Sequence, residues 1–289
     1  MAIERRRIGT TEVEVTTIGL GGGSLGLARA SEDEAARIIE AAWDGGVRYF
    51  DSAPLYGMGV SERRSGAGLG GYPRDEFVNS TKVGRLLVPS ASDETQLEVR
   101  YDYSYEGVRT SLESSLERLG LDRVDILLCH DIDVWTHGDG QPAIYEAARN
   151  GALRALTDLR SEGVIRAFGL GVNEWRVCSE VMDEFDVDCF LLAGRFTLLE
   201  QEPLDEFLPK CVEQNVSIII GGPYNSGLLA VDDREQATYD YKPVDDARWE
   251  RAQAIRRVCD AHGVDTRAAA LQYPLRHPAV ASVIPGAKS

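Results

Sequence analysis

The chain has 289 residues, of which 43% are hydrophobic and 27% charged, and its formal net charge is −16. That length suits one large α/β barrel or two ordinary domains, and the composition is that of a globular protein facing water. So acidic a surface repels phosphate backbones and anionic bilayers, so neither nucleic acid nor a membrane is an expected partner.

The five cysteines (Cys129, Cys178, Cys189, Cys211 and Cys259) are odd in number and form no CxxC. Buried free thiols in a reducing compartment are the expectation. The opening MAIERRRIGTTEVEV lacks the apolar core of a signal peptide. No run approaches the roughly 20 apolar residues of a membrane span. These readings predict a cytoplasmic protein and leave assembly into a homo-oligomer open.

In chain order, RRRIGTTEVEVTT reads as a short hairpin with its turn near Gly9. Eight strand-like runs follow, at 16–22, 47–51, 77–82, 124–130, 164–172, 187–194, 216–222 and 281–286. Several are near-continuous apolar stretches, as expected of strands covered on both faces. Helical patterns lie between them. Ser31 to Glu34 is a capping-box signature, followed by one apolar face (Ala35, Ile38, Ile39, Ala42, Trp43) that Gly45 and Gly46 end. Similar faces are Val108 to Leu119, Ala148 to Leu159, Leu204 to Val212, and Ala252 to Cys259. Strands alternating evenly with helices, with no GxGxxG after the first strand, predict a closed (β/α)8 TIM barrel with the N-terminal hairpin outside it. No linker divides the chain, so residues 1–289 are read as one domain. The chain reaches Ser289 just after the eighth run, so the helix that would follow is expected to be absent from it.

Four polar residues fall at or just beyond the C-terminal tips of these runs. Asp51 closes VRYFD, Tyr56 lies in the loop DSAPLYG, Lys82 ends FVNSTK and His130 ends VDILLCH. In a barrel all four converge on the rim where such folds place their chemistry. Taken singly, each has a plainer reading: an Asp after a strand is more often a helix cap, and a Lys there usually reaches solvent. The weight lies in their joint placement. Two long loops, 84–103 and 131–142, leave the same rim and are read as binding loops or lids. Gly21 to Gly23 is read as a tight barrel turn rather than a phosphate cradle.

These residues resemble the aldo-keto reductase superfamily over essentially the whole chain. GGVRYFDSAPLYG is similar to its strand-two signature, and Asp51, Tyr56, Lys82 and His130 match its catalytic tetrad. IRAFGLGVNEW resembles the strand-five motif that holds the nicotinamide, and SVIPGAKS the strand-eight motif beside the adenosine phosphate. YDYSYEGVRTSLESSLERLGLDRVDILLCHD, DCFLLAGRFTLLEQ and IIIGGPYNSGLLA resemble the branch of D-threo-aldose 1-dehydrogenases, with L-fucose and L-galactose dehydrogenases and, nearby, pyridoxal 4-dehydrogenase.

The resemblance implies NAD or NADP as cofactor, no metal, and a small-molecule sugar or aldehyde as substrate. Tyr56 would handle the hydroxyl proton. Lys82 would lower its pKa, Asp51 would hold Lys82 charged, and His130 would orient the substrate oxygen. Asn173 matches a residue on the nicotinamide carboxamide, and Phe196 the aromatic that stacks on its ring. The loop of Gly222, Pro223, Tyr224, Asn225, Ser226 and Gly227 would cover the pyrophosphate, and Lys288 would meet an adenosine phosphate. Glu174 and Ala193 depart from the residues usual at their positions. Trp135 is a candidate substrate wall and Arg195 a candidate partner for substrate hydroxyls. The implied reaction oxidises the hemiacetal carbon of an aldose to a lactone. Pyridoxal 4-dehydrogenase and a general aldehyde or ketone reductase are the alternatives, and a nucleotide-sensing subunit is a third.

Overall fold

A computed structural model describes residues 2–27 and 31–289. β1 (Arg5–Arg7) and β2 (Glu14–Thr16) pair antiparallel around a turn in which Gly9 has φ +53°. The turn sits against the chain where two barrel strands begin: the Gly9 amide donates to Ser217 Oγ at 2.8 Å. A side chain at Gly9 would meet the Asp188 carbonyl at 2.8 Å. Ile8, Val13 and Val15 are fully buried and pack with Tyr49, Ile126, Leu128 and Ile219. The hairpin therefore lies outside the sheet, as expected, and stoppers the N-terminal end of the barrel.

The chain then runs through β3 (Leu20–Gly21), α1 (Glu32–Asp44), β4 (Tyr49–Asp51), α2 (Val60–Leu69), β5 (Val78–Val83), β6 (Arg85–Pro89), β7 (Leu97–Tyr101), α3 (Tyr105–Leu119) and β8 (Ile126–His130). It continues through α4 (Val134–His137), α5 (Gln141–Asn150), α6 (Ala152–Ser161), β9 (Ala167–Val172), α7 (Arg176–Met182), β10 (Cys189–Ala193), α8 (Phe207–Glu213) and β11 (Ser217–Gly221). The last elements are β12 (Thr238–Tyr239), β13 (Lys242–Pro243), α9 (Asp246–Ala261), α10 (Thr266–Gln272) and β14 (Val280–Ile284). β3, β4, β5, β8, β9, β10, β11 and β14 pair in that order, every pair parallel. A parallel bridge from Ile18 to Val283 closes the ring, with Gly19 N donating to Val283 O at 3.0 Å. The eight apolar runs are thus the eight staves of a (β/α)8 barrel, and hydrogen bonds across the seam join its first and last strands.

Three features differ from the periodicity reading. The segment 84–103 is no irregular loop but an antiparallel hairpin, β6 with β7. The single helical face over 148–159 is two helices, α5 and α6, that meet at Gly151. A side chain there would lie 2.4 Å from the Tyr103 carbonyl. Helix α2 has no apolar stripe because it buries polar groups: Ser61, Glu62, Arg64 and Ser65 are all buried. Glu62 accepts from the Thr81 hydroxyl and from Arg118, both at 2.6 Å. All five cysteines are free and buried, as expected. Among the described residues no helix is long and apolar enough to cross a membrane.

Candidate active site

The parallel register of β4 and β5 sets Asp51 opposite Ser80. Ser80 and Lys82, two apart on one strand, share a face. Both reach Asp51: the Ser80 hydroxyl donates to Oδ1 at 2.7 Å, and Lys82 Nζ donates to Oδ2 and Oδ1 at 2.8 and 3.0 Å. A third Lys82 bond goes to the Ser52 carbonyl at 2.8 Å. The strand runs one residue past Lys82, so the ammonium points into the barrel mouth rather than to solvent; it is 1% exposed. Tyr56 lies half-buried above it. Lys82 Nζ is 4.7 Å from the phenol ring centroid, and the His130 ring lies edge-on at 6.2 Å. Close backbone contact fixes the Tyr56 loop. Gly57 has φ +63°, and a side chain on it would come within 2.1 Å of the Gly26 carbonyl oxygen. The four polar side chains expected at the rim therefore do meet there.

Burial alone would lower the Lys82 pKa, but Asp51 and then Tyr56 outweigh it, and the ammonium is held above its ordinary range. Burial and the nearby cations Lys82 and Arg85 push His130 well below the usual imidazole range, so its ring is neutral. Tyr56 differs from expectation. Burial pushes its phenol up to about 12, and Lys82 only partly opposes this. The lowered pKa expected from the sequence is thus corrected: the site favours the neutral phenol, because desolvating a phenolate costs more than one neighbouring ammonium returns.

Asp131, which the sequence reading did not single out, is buried beside His130. It is ion-paired with Arg85, and Asn173 Nδ2 donates to its Oδ1 at 3.0 Å. Asn173 stands at the end of β9, its amide bonded to Asp133 Oδ2 at 2.6 Å. Glu174 accepts from the Val134 amide at 3.0 Å and so ties down the loop after β8. A lone Asp after a strand carries no signal in sequence; only packing shows what it touches.

Other predicted residues divide. Phe196 is 2% exposed and packs against Tyr273 and His277 in the core. Its expected role as a nicotinamide-stacking aromatic is therefore corrected: Gly194, at φ +68°, turns the chain so that Phe196 points inward. Arg195 points the other way, but its guanidinium is spent on the Asn173 carbonyl (2.6 Å) and on Asp240 (3.2 and 3.3 Å). It clamps the β12–β13 turn instead of waiting for a sugar hydroxyl. Trp135 is 49% exposed and lines a groove of about 400 Å³ with Tyr239, Asp240 and Lys242. Asn225 is also committed internally, accepting from Thr197 at 2.7 Å and donating to Gly194 O at 3.0 Å. It shapes the 222–227 loop, and its side chain is not free for a ligand. Within that loop Gly222, Asn225, Ser226 and Gly227 all have positive φ. The amides of Asn225, Gly227 and Leu228 bond inside the loop. Among the described residues no acceptor faces those of Tyr224 and Ser226. Pro223 is buried, and Lys288 is exposed at the end of the chain.

Comparison with known proteins agrees with this geometry. The Aldo/keto reductase family profile matches residues 17–289. A pyridoxal 4-dehydrogenase from Microbacterium luteolum is 40% identical over 100% of this chain and 90% of its own. A D-threo-aldose 1-dehydrogenase from Pseudomonas sp is 40% identical over 94% of this chain and 85% of its own. The holo form of an aldo-keto reductase from Bacillus halodurans superposes with a TM-score of 0.78 at 26% identity, covering 99% of this chain and 87% of that one. With the barrel, the quartet at its rim and a profile match over nearly all of its length, the chain belongs to the aldo/keto reductase family of oxidoreductases.

Proposed function

We propose that this protein is an NAD(P)-dependent dehydrogenase that oxidises the hemiacetal carbon of an aldose, of the L-fucose or D-threo type, to a lactone. The observation that carries the reading is the quartet at the barrel mouth: Lys82 locked between Asp51 and the Ser52 carbonyl, with the Tyr56 ring above it and neutral His130 at its edge. The D-threo-aldose 1-dehydrogenase relative supports the substrate class.

The rim fits a dinucleotide. The uncommitted amides of Tyr224 and Ser226 suit phosphate oxygens, and glycine at 222 lets a ligand approach the backbone. Asn173 has its amino end occupied by Asp131, which leaves its carbonyl end to accept from a carboxamide. A bound NAD(P)+ would supply the two-electron acceptor. The protein supplies the rest. His130 hydrogen-bonds the anomeric hydroxyl and aims it at Tyr56. The Tyr56 oxygen takes the hydroxyl proton as the C1 hydride departs and the C=O bond forms, while Lys82 stabilises the negative charge passing through that oxygen. In reverse, the neutral phenol donates its proton to a carbonyl oxygen. With a phenol at about 12, reduction finds its acid ready at neutral pH, and oxidation gains as pH rises.

A second reading, oxidation of pyridoxal, is supported by the Microbacterium relative at the same 40% identity. Both substrates exist largely as cyclic hemiacetals, so the same groups perform either reaction. The test is a spectrophotometric screen for NADH or NADPH formation across aldoses of differing stereochemistry, with pyridoxal included. Turnover of aldoses above pyridoxal supports the first reading, the reverse order the second. No turnover of either class overturns both.

A further inference from the structure

Asp131 follows His130 with φ +48°, a left-handed conformation that is unfavourable for a residue with a side chain. In a strand continued straight on, consecutive side chains point to opposite faces. The left-handed turn brings the Asp131 carboxylate to the mouth beside the His130 ring. Several contacts hold the strained pair. The Tyr103 hydroxyl lies 2.8 Å from the His130 carbonyl and 3.0 Å from that of Asp131. His137 Nε2 donates to the Asp131 carbonyl at 2.8 Å, and the Asp131 amide donates to Gly171 O at 2.9 Å. The carboxylate itself is ion-paired with Arg85, accepts from Asn173, and lies 3.4 Å from His130 Nε2.

We propose that Asp131 is a positioning residue for both halves of the reaction: its carboxylate keeps the His130 proton on Nε2 and holds the Asn173 amide with its carbonyl end toward the cofactor. The second half rests on the proposed function above. An ionised carboxylate only accepts hydrogen bonds, so Asn173 presents its NH2, and the His130 nitrogen 3.4 Å away is favoured as N–H because a lone pair there would face the negative charge. For a neutral imidazole that places the single proton on Nε2 and leaves Nδ1 bare. Independently, His130 Nδ1 is buried without a hydrogen-bond partner. A bare lone pair is tolerated there better than an orphaned N–H. For Asn173 the same logic turns the NH2 toward Asp131 and the oxygen away. Arg85, at the start of the β6–β7 hairpin, favours the ionised carboxylate and opposes the effect of its burial.

Burial pushes the Asp131 carboxyl up to about 7 against the pull of Arg85, and Asp133 adds to the rise. Lys82 on β5 opposes it, and the remaining titratable neighbours are Tyr56, Cys129, His130, His137, Tyr103 and, from the β12–β13 turn, Tyr241. Protonated, Asp131 becomes a donor and both orientations are released. Catalysis should therefore show an acid limb near the Asp131 value.

The test uses the full-length protein without cofactor. Long-range ¹H–¹⁵N correlation spectra of His130 should show the Nε2–H tautomer at pH 8.5. Its signals should shift as pH falls to 5.5 while the ring stays neutral, because Asp131 titrates and His130 does not. Asp131→Asn should abolish that pH-dependent shift and the Nε2–H bias. It should also lower kcat by roughly 100-fold, weaken dinucleotide binding about tenfold, and remove the acid limb, with Asp131→Glu restoring part of each. A wild-type His130 spectrum that is constant from pH 5.5 to 8.5, or a Nδ1–H tautomer, overturns the proposal whether or not the variant folds. So does a folded Asp131→Asn protein with unchanged tautomer and dinucleotide affinity. Absence of wild-type turnover on every aldose and on pyridoxal would sink the functional reading, and the spectra would still decide the role of Asp131.

Discussion

Replacing Lys82 by methionine removes one charge from a nearly dry ion pair. Asp51 is 3% exposed, and its two oxygens receive three hydrogen bonds, two of them from Lys82 and one from Ser80. Without the ammonium the carboxylate keeps only the Ser80 hydroxyl. Breaking a buried pair on one side costs about 3–5 kcal/mol, because an uncompensated charge stays behind. For a chain of this size that lowers the melting temperature by on the order of 10 °C. Removing both charges, in Asp51→Asn with Lys82→Met, should recover more than half of that loss, since no buried ion remains. Turnover should not recover. Lys82 is the group that opposes the effect of burial on the Tyr56 phenol, and its loss should cost about 100- to 1,000-fold in kcat in both variants. Thermal melts followed by circular dichroism, with steady-state rates on the same samples, separate the two roles. A Lys82→Met protein that melts with the wild type, or stability losses that simply add in the double variant, would refute the claim that this pair is desolvated and coupled.

Tyr56→Phe should lower turnover by about 1,000-fold or more while titration calorimetry finds dinucleotide affinity within about twofold of wild type, because the hydroxyl acts on the substrate proton. Retained turnover would remove Tyr56 from the mechanism. The oxidation rate should climb about tenfold per pH unit from pH 8 to 10, above the Asp131 limb, since the deprotonated form of a group at about 12 grows by that factor, while reduction stays flat over the same range. A level oxidation profile would point to another base. Gly66→Ala places a methyl 1.7 Å from the Leu119 carbonyl oxygen, which is backbone and has no rotamer to yield, so urea melts should show a loss of at least about 2 kcal/mol. Glu62→Gln should cost about 2–4 kcal/mol by the same measurement, because Arg118 loses its charged partner; a loss below about 0.5 kcal/mol would mean that the bond contributes nothing net.

The strands were legible because parallel strands covered on both faces need apolar side chains at nearly every position, and LLC before His130 or IIIG before Gly222 satisfies nothing else as well. The quartet was legible because each strand end pins a residue to the rim. What stayed hidden depended on partners far away in the chain. Helix α2 reads as polar, yet it is buried because Thr81 and Arg118 satisfy Glu62. The 84–103 segment shows no strand pattern strong enough to announce β6 and β7, since one strand of the hairpin is largely exposed. Phe196 and Arg195 are neighbours in sequence with opposite destinations, and the positive φ of Gly194 decides which faces the core.

By itself the order of apolar runs, caps and glycines determined a closed ring of eight parallel strands and the positions of Asp51, Tyr56, Lys82 and His130 on its mouth. Periodicity and strand alternation are local rules, and they act before any distant contact forms. The tertiary structure alone decided the burial that raises the phenol, the placing of the Asp131 carboxylate beside His130 and Asn173, and the commitment of Arg195 to Asp240. Each is a balance between desolvation and a charge or hydrogen bond brought in from another strand or loop, and no spacing in the sequence encodes that distance.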